Sequence, residues 1–289
     1  MTTTFAAGLS ELVEGYDGVI LDLWGVIHDG VVAYPDVADC LTALRRAGKR
    51  SLLLSNAPRR SAALIAQLSA MGIERALYDE ALSSGDAVHQ ALERRVEPGF
   101  DRLGRRLYHL GPERDRNVFD DLEYEAVELG EADFVLNTGP VDLAESAADY
   151  RPILTVARAR ALPMICANPD REVIRQGKRI ACAGALADVY RSLGGVVIER
   201  GKPDPAIYDT ALERLGIADR SRVLAIGDAL HTDIRGARNA GIASVLVTGG
   251  IHAEELGIAW GERPDPARLD ALIRRHGDRP KAALPRLVW

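Results

Sequence analysis

The chain of 289 residues is long enough for two domains, or for one domain carrying a large insertion. Its composition is 47% hydrophobic and 27% charged, with a formal net charge of −6. That balance excludes a disordered or collagen-like chain, and it lacks the overall basic charge of a non-specific nucleic-acid binder.

No apolar run approaches the roughly 18 residues of a membrane helix. The opening stretch Met1-Thr2-Thr3-Thr4-Phe5 and the residues after it lack the basic and apolar regions of a secretory leader. Cys40, Cys166 and Cys182 are widely spaced and form neither a CxxC pair nor a zinc pattern. These features predict a soluble, reduced, cytoplasmic protein.

In chain order, apolar runs rich in β-branched residues fall at 18–24, 50–56, 106–111, 134–139, 163–168, 196–201, 222–228 and 243–249. Several are apolar at consecutive positions, the pattern of parallel strands covered on both faces. Helical periodicity separates them. Over 35–47, Val37, Leu41 and Leu44 share a face, with Pro35 at the start and Gly48 just past the end. Over Pro205–Leu215, Ile207, Ala211 and Leu215 line up and Gly216 closes the helix. Strand–helix alternation reads as a doubly wound α/β sheet, in which ligands bind beyond the carboxyl ends of the strands.

Polar residues gather at those ends. The run from Gly18 ends in Asp22, the run from Arg50 in Ser55 and Asn56, the run from Val196 in Lys202, and the run from Arg222 in Asp228, with Asp233 following. Singly, each has an ordinary structural explanation as turn residue, N-cap or solvated loop lysine. If the four strands are neighbours, the combination places three carboxylates, an amine and a hydroxyl in one crevice.

The ordered set Asp22-Leu23-Trp24-Gly25-Val26, Ser55-Asn56, Gly201-Lys202-Pro203-Asp204-Pro205 and Gly227-Asp228-Ala229-Leu230-His231-Thr232-Asp233 resembles the four motifs of the haloacid dehalogenase superfamily. Gly30, Pro35, Ala167-Asn168-Pro169-Asp170, Ala183-Gly184-Ala185-Leu186-Ala187 and Gly194-Gly195 extend the resemblance to its type IIA, NagD-like phosphatase branch. The resemblance implies a Rossmann-like parallel-sheet core with a smaller α/β cap inserted between the second and third motifs. Length alone requires an insertion, because 146 residues separate Ser55 from Lys202. The expected division is core 1–97 and 196–289, cap 98–195.

The same resemblance implies a Mg²⁺-dependent phosphohydrolase acting on a small phosphorylated metabolite. Asp22 would be the nucleophile, and Asp22, Asp228, Asp233 and the backbone carbonyl of Trp24 would hold the metal. Ser55, Asn56 and Lys202 would bind the transferring phosphoryl group. The cap loop with Asp170 and Arg171 would help select the substrate. Neither nucleic acid nor membrane is implied as a partner, and family members often pair through their caps, which nothing in the sequence tests.

One position departs from the family pattern. The aspartate that usually stands two residues after the nucleophile and protonates the leaving oxygen is replaced by Trp24. An indole cannot act as that acid, and a general acid contributes about 10²–10⁴ in rate. Three readings stay open: a phosphatase whose leaving group is protonated elsewhere (with His28 or Asp29 as candidates) or needs no proton, a weakly turning-over phospho-ligand binder, and a dehalogenase-like hydrolase. Retention of Asp228 and Asp233 speaks against the last, since those dehalogenases work without a metal. Among the paired arginines, Arg59 and Arg60 stand closest behind Ser55-Asn56 and are the pair best placed to meet an anionic substrate. Cys166 and Cys182 sit in apolar surroundings and read as buried thiols.

Overall fold

The computed structural model describes residues 3–289; Met1 and Thr2, part of the opening stretch read above as carrying no leader, lie outside the described residues. Two parallel sheets form the framework. The larger has seven strands in the spatial order Thr4–Phe5, Ala282–Leu284, Ala243–Val247, Val223–Gly227, Gly18–Leu21, Arg50–Ser55, Glu80–Ser83. Every neighbouring pair in it is parallel. The central strands Gly18–Leu21 and Val223–Gly227 are buried throughout, as consecutive apolar positions require.

Alternate residues of these strands feed two cores. Val19, Leu21, Leu53, Leu224 and Ile226 pack on one face with Val37, Leu41 and Leu44 of the helix Val37–Arg46. Ile20, Leu52, Leu54, Val223 and Ala225 pack on the other face with Ile207, Ala211 and Leu215 of the helix Pro205–Leu215. Because the strands are parallel, the polar residues that follow them come out at the same carboxyl edge of the sheet.

The smaller sheet has five parallel strands in the order Val197–Glu199, Met164–Cys166, Phe134–Asn137, Arg106–Leu110, Glu125–Ala126. An antiparallel hairpin, Glu172–Arg175 with Lys178–Ala181, projects from it. Here one expectation is corrected. The apolar run beginning at 196 is not a core strand: Val197 pairs with Met164 and Ile198 with Ile165. Val197 and Ile198 pack against the two apolar clusters of the cap, so the chain returns to the core only after Glu199. The segment carrying Lys202 is therefore a loop, and three of the four motif-bearing segments, not four, are neighbouring core strands. At the other crossing, the helix Ser84–Arg94 starts from the core edge yet sinks Val88, Ala91 and Leu92 into a cap cluster with Phe134 and Ile165.

The tail beyond Gly277 supplies the strand Ala282–Leu284 inside the larger sheet. Cys40, Cys166 and Cys182 are buried free thiols. Among the described residues, no helix is long and apolar enough to cross a membrane.

Candidate active site

Asp22 follows Leu21, which is in register with Leu53 on one side and Ile226 on the other, so the first and fourth motifs meet at adjacent strand ends. The Asp22 backbone N–H donates to the Ile226 carbonyl (2.9 Å) and prolongs the ladder by one residue. Among the described residues, the hydrogen bonds to its carboxylate fall on Oδ1, from Lys202 Nζ at 2.6 Å and from the Leu23 N–H at 2.7 Å.

Lys202 reaches this point from its loop with its ammonium buried. It donates to Asp22 Oδ1, to Asp233 Oδ1 (2.7 Å) and toward the Leu54 carbonyl (3.4 Å). Burial pulls its pKa down, but the surrounding carboxylates of Asp22, Asp233 and Asp170 win and hold it well above the ordinary lysine value. Asp233 is presented by a π-helical turn, Leu230–Ile234, that follows the strand Val223–Gly227. Its Oδ2 accepts from the Ala229 N–H (3.0 Å), and the Tyr208 hydroxyl donates to its backbone carbonyl (3.1 Å). The side chain lies flat on Gly227, where a Cβ would come within 2.2 Å of Cγ.

Asp228 completes the cluster. Its Oδ2 accepts from the Ile251 N–H (2.6 Å) and is cradled by Gly25 and Gly250, at which a Cβ would lie 2.0 and 2.1 Å from that oxygen. Asp22, Asp228 and Asp233 are all buried, and one oxygen from each comes within 4.8 Å of the others. Burial, then Asp233, push Asp22 up to about 8 against the pull of Lys202. Burial, with Asp22 and Asp233 beside it, raises Asp228 well above the carboxylate range. Three carboxylates with one ammonium leave an excess of negative charge away from water. Hard oxygen donors at this spacing can hold a divalent cation, which would remove that excess.

Ser55 and Asn56 end the neighbouring strand and are 1% exposed each. The Ser55 hydroxyl accepts from the Ala57 N–H at 3.1 Å. The Asn56 carboxamide accepts from the Lys202 N–H (2.7 Å) and donates to the Lys202 carbonyl (3.0 Å) and to Asp170 Oδ1 (2.9 Å). Asp170 thus arrives from the cap loop onto the second motif. Burial raises its pKa, which Lys202 and Asn56 oppose. Trp24, half-buried, lies between the carboxylate cluster and a larger cavity beyond it, and lines both.

Three sequence expectations are revised by this geometry. Arg171 lines neither cavity: its guanidinium forms a two-point pair with Asp188 in the cap (3.0 and 3.1 Å). His28 is no acid: burial lowers its pKa to about 4, and its Nδ1 accepts from the Gly30 N–H at 2.9 Å, so the neutral ring packs edge-on against Trp24. Asp29 is a turn residue, its Oδ1 accepting from Val31 and Val32 N–H at 2.9 Å each. Sequence reasoning missed Gly25 and Gly250 as the cradle of Asp228, and Tyr208 behind Asp233. The spacing of Tyr208 in its helix reads only as core.

Comparison with known proteins finds relatives along most of the chain. Residues 19–125 match a haloacid dehalogenase-like hydrolase model and residues 199–273 a HAD-hydrolase-like model. A haloacid dehalogenase-like hydrolase structure from Brucella suis 1330 is 36% identical, covers 98% of this chain and 100% of its own, and superposes with a TM-score of 0.84. Chronophin from Bos taurus is 26% identical over 268 residues, 86% of each chain. Ribonucleotide monophosphatase NagD from Escherichia coli K12 is 26% identical over 238 residues, 81% of this chain and 88% of its own.

Proposed function

This chain belongs to the haloacid dehalogenase-like hydrolases, in the type IIA branch with NagD and chronophin, and from that premise we propose that it is a Mg²⁺-dependent phosphohydrolase of a small phosphorylated metabolite. The observation that carries this reading is the two-sided use of Asp22. Lys202 and the Leu23 N–H both hold Oδ1, which leaves Oδ2 as the attacking oxygen.

Asp22 Oδ2 bonds to phosphorus in line with the leaving oxygen. The phosphorus–oxygen bond of the ester breaks, its electron pair goes to the leaving alkoxide or phenoxide, and an aspartyl-phosphate forms. Water then attacks phosphorus, releasing phosphate and restoring the carboxylate. Lys202 fixes the nucleophile's orientation and offsets charge on the transferring group, while Ser55 and the Asn56 N–H bind its oxygens. Asp22, Asp228, Asp233 and the Trp24 carbonyl would hold Mg²⁺, whose charge lets an anionic ester approach a carboxylate. The core is proposed to end with the strand Glu80–Ser83, earlier than the expected 97, and to resume from about 200, with the cap as the stretch between.

One observation favours a second reading, a phospho-ligand binder with little turnover: Trp24 replaces the proton donor, and neither His28 nor Asp29 is free to stand in for it. A panel of phosphorylated metabolites and aryl phosphates, assayed for phosphate release with and without Mg²⁺, separates the two. Turnover that vanishes in Asp22→Asn while the fold persists supports the hydrolase; tight binding without release supports the binder.

A further inference from the structure

The crevice continues past the carboxylates. Beyond Trp24 lies a cavity of about 320 Å³ between core and cap, near the small end of the range for ligand sites. Trp24 and Asp170 wall both this cavity and the one lined by Asp22 and Asp228, so the two spaces adjoin.

The far cavity is over-supplied with guanidinium groups. Arg59 enters from the core, and Arg114 and Arg175 from the cap. The carboxylate at that end is Asp115, 4% exposed, whose Oδ1 lies 3.4 Å from Arg59 Nε and 3.8 Å from Arg114 Nε. Neither Arg59 Nε nor Asp115 Oδ1 completes a hydrogen bond, although both atoms are buried. The other partner of Arg59 is neutral, Gln67 Oε1 at 3.1 Å. Asp170, at the catalytic end of the cavity, is already engaged by Asn56. Burial, together with Arg114 and Arg175, weakens the hold of Arg59 on its proton. Two guanidinium groups share one buried carboxylate and a third, Arg175, lines the same cavity, so an entering anion would find cations there in excess of carboxylates.

We infer that the substrate is doubly anionic: besides the phosphate attacked by Asp22, it carries a second acidic group, a carboxylate or a second phosphate, that docks on Arg59, Arg114 and Arg175. This rests on the phosphohydrolase reading above. Guanidinium forks match the paired oxygens of either group, and a docked anion bridges Arg59 of the core to the two arginines of the cap.

The test compares phosphate esters of similar size in the presence of Mg²⁺: 4-carboxyphenyl phosphate, the bisphosphate of hydroquinone, and the uncharged isostere 4-carbamoylphenyl phosphate. The full-length protein should cleave one or both of the doubly anionic esters with a kcat/KM about tenfold or more above the carbamoyl ester, mainly through KM. Which of the two gains tells carboxylate from phosphate. In Arg59→Met and, separately, Arg175→Met, the ratio between charged and uncharged ester should collapse toward one. A ratio on one enzyme cancels any loss of folded protein, and the hairpin position of Arg175 gives a second variant should Arg59→Met fold poorly. Equal kcat/KM for all three esters in the wild type, or a preference that survives both substitutions, overturns the inference and leaves the phosphohydrolase reading standing. Absence of turnover on every ester overturns that reading, and this inference with it.

Discussion

The side-chain amide of Asn56 pairs with the backbone of Lys202 at two points, accepting its N–H at 2.7 Å and donating to its carbonyl at 3.0 Å, across 146 positions of chain. The contact imitates one rung of a sheet, with a carboxamide in place of a strand. It fits because position 201 is glycine, with φ of +123°; a Cβ there would stand 2.6 Å from Asn56 Oδ1. Lys202, whose ammonium donates to Asp22 Oδ1, is thereby registered against the second motif rather than against its own loop.

Asn56→Ala should therefore act as a lysine-positioning defect. It strips two buried backbone groups of their partner, costing about 1–3 kcal/mol in stability, and should lower kcat by tenfold or more. Urea unfolding and steady-state kinetics check both. Wild-type kcat in this variant would show that Lys202 needs no such register.

If the triad holds Mg²⁺, excess EDTA should abolish turnover, and Asp228→Asn should weaken Mg²⁺ binding at least tenfold by calorimetry. Gly250→Ala gives an independent probe, since its new methyl would press on Asp228 Oδ2. Full activity in EDTA would sink the metal assignment.

If the chain is a phosphohydrolase, indole at position 24 and a neutral His28 should leave the departing oxygen without a proton from that side. Aryl and acyl phosphates should be cleaved far faster than sugar or glycerol phosphates. Trp24→Asp should narrow the gap by up to about 10²-fold by speeding the poor leaving groups. Similar wild-type rates on alkyl and aryl esters would mean that another group gives the proton. Asp170, whose pKa is raised by burial, would be the first residue to replace.

His28 also predicts a pH dependence of stability. Its folded pKa of about 4 lies below the ordinary 6.5, so the unfolded chain takes up the proton first as pH falls. The stability it contributes is complete above about 6.5 and is lost as pH falls through about 4. The difference in unfolding free energy between wild type and His28→Gln should shrink by on the order of 3 kcal/mol over that window. A difference constant with pH would contradict the neutral, buried ring.

Much of the core and its polar ends was legible because the physics there is local. Asp22 and Asp228 stand out as carboxylates that terminate strands buried on both faces. The strands Glu80–Ser83 and Ala282–Leu284 were not, being too short for their apolar pattern to rise above the flanking helices and turns. Val197–Glu199 was read as a strand but assigned to the wrong sheet, because a buried parallel strand looks the same in either; its pairing with Met164–Cys166 decides the matter. Arg171 pairs with Asp188 of a cap helix, a partner that no spacing rule singles out. The cationic cavity was half visible, through Arg59. Its cap partners Arg114 and Arg175 carry no periodic signal and meet it only in three dimensions.

The two places where the chain passes between core and cap lie side by side. Ser83 ends the core's edge strand, in register with Ser55, and caps the helix that carries the cap's underside. The next residue, Ser84, hydrogen-bonds through its hydroxyl to the carbonyl of Arg200 on the returning crossing. Any movement of the cap that keeps this contact intact would pivot close to Ser84 and Arg200. At a rim of the crevice the cap hairpin meets the core through Arg179 and Glu254, an ion pair open to solvent (2.9 Å, with side chains 42% and 76% exposed). Added salt weakens such a pair more than any buried contact of the molecule. If that pair helps to hold the cap on the core, added salt should raise the rate at which the crevice takes up ligand.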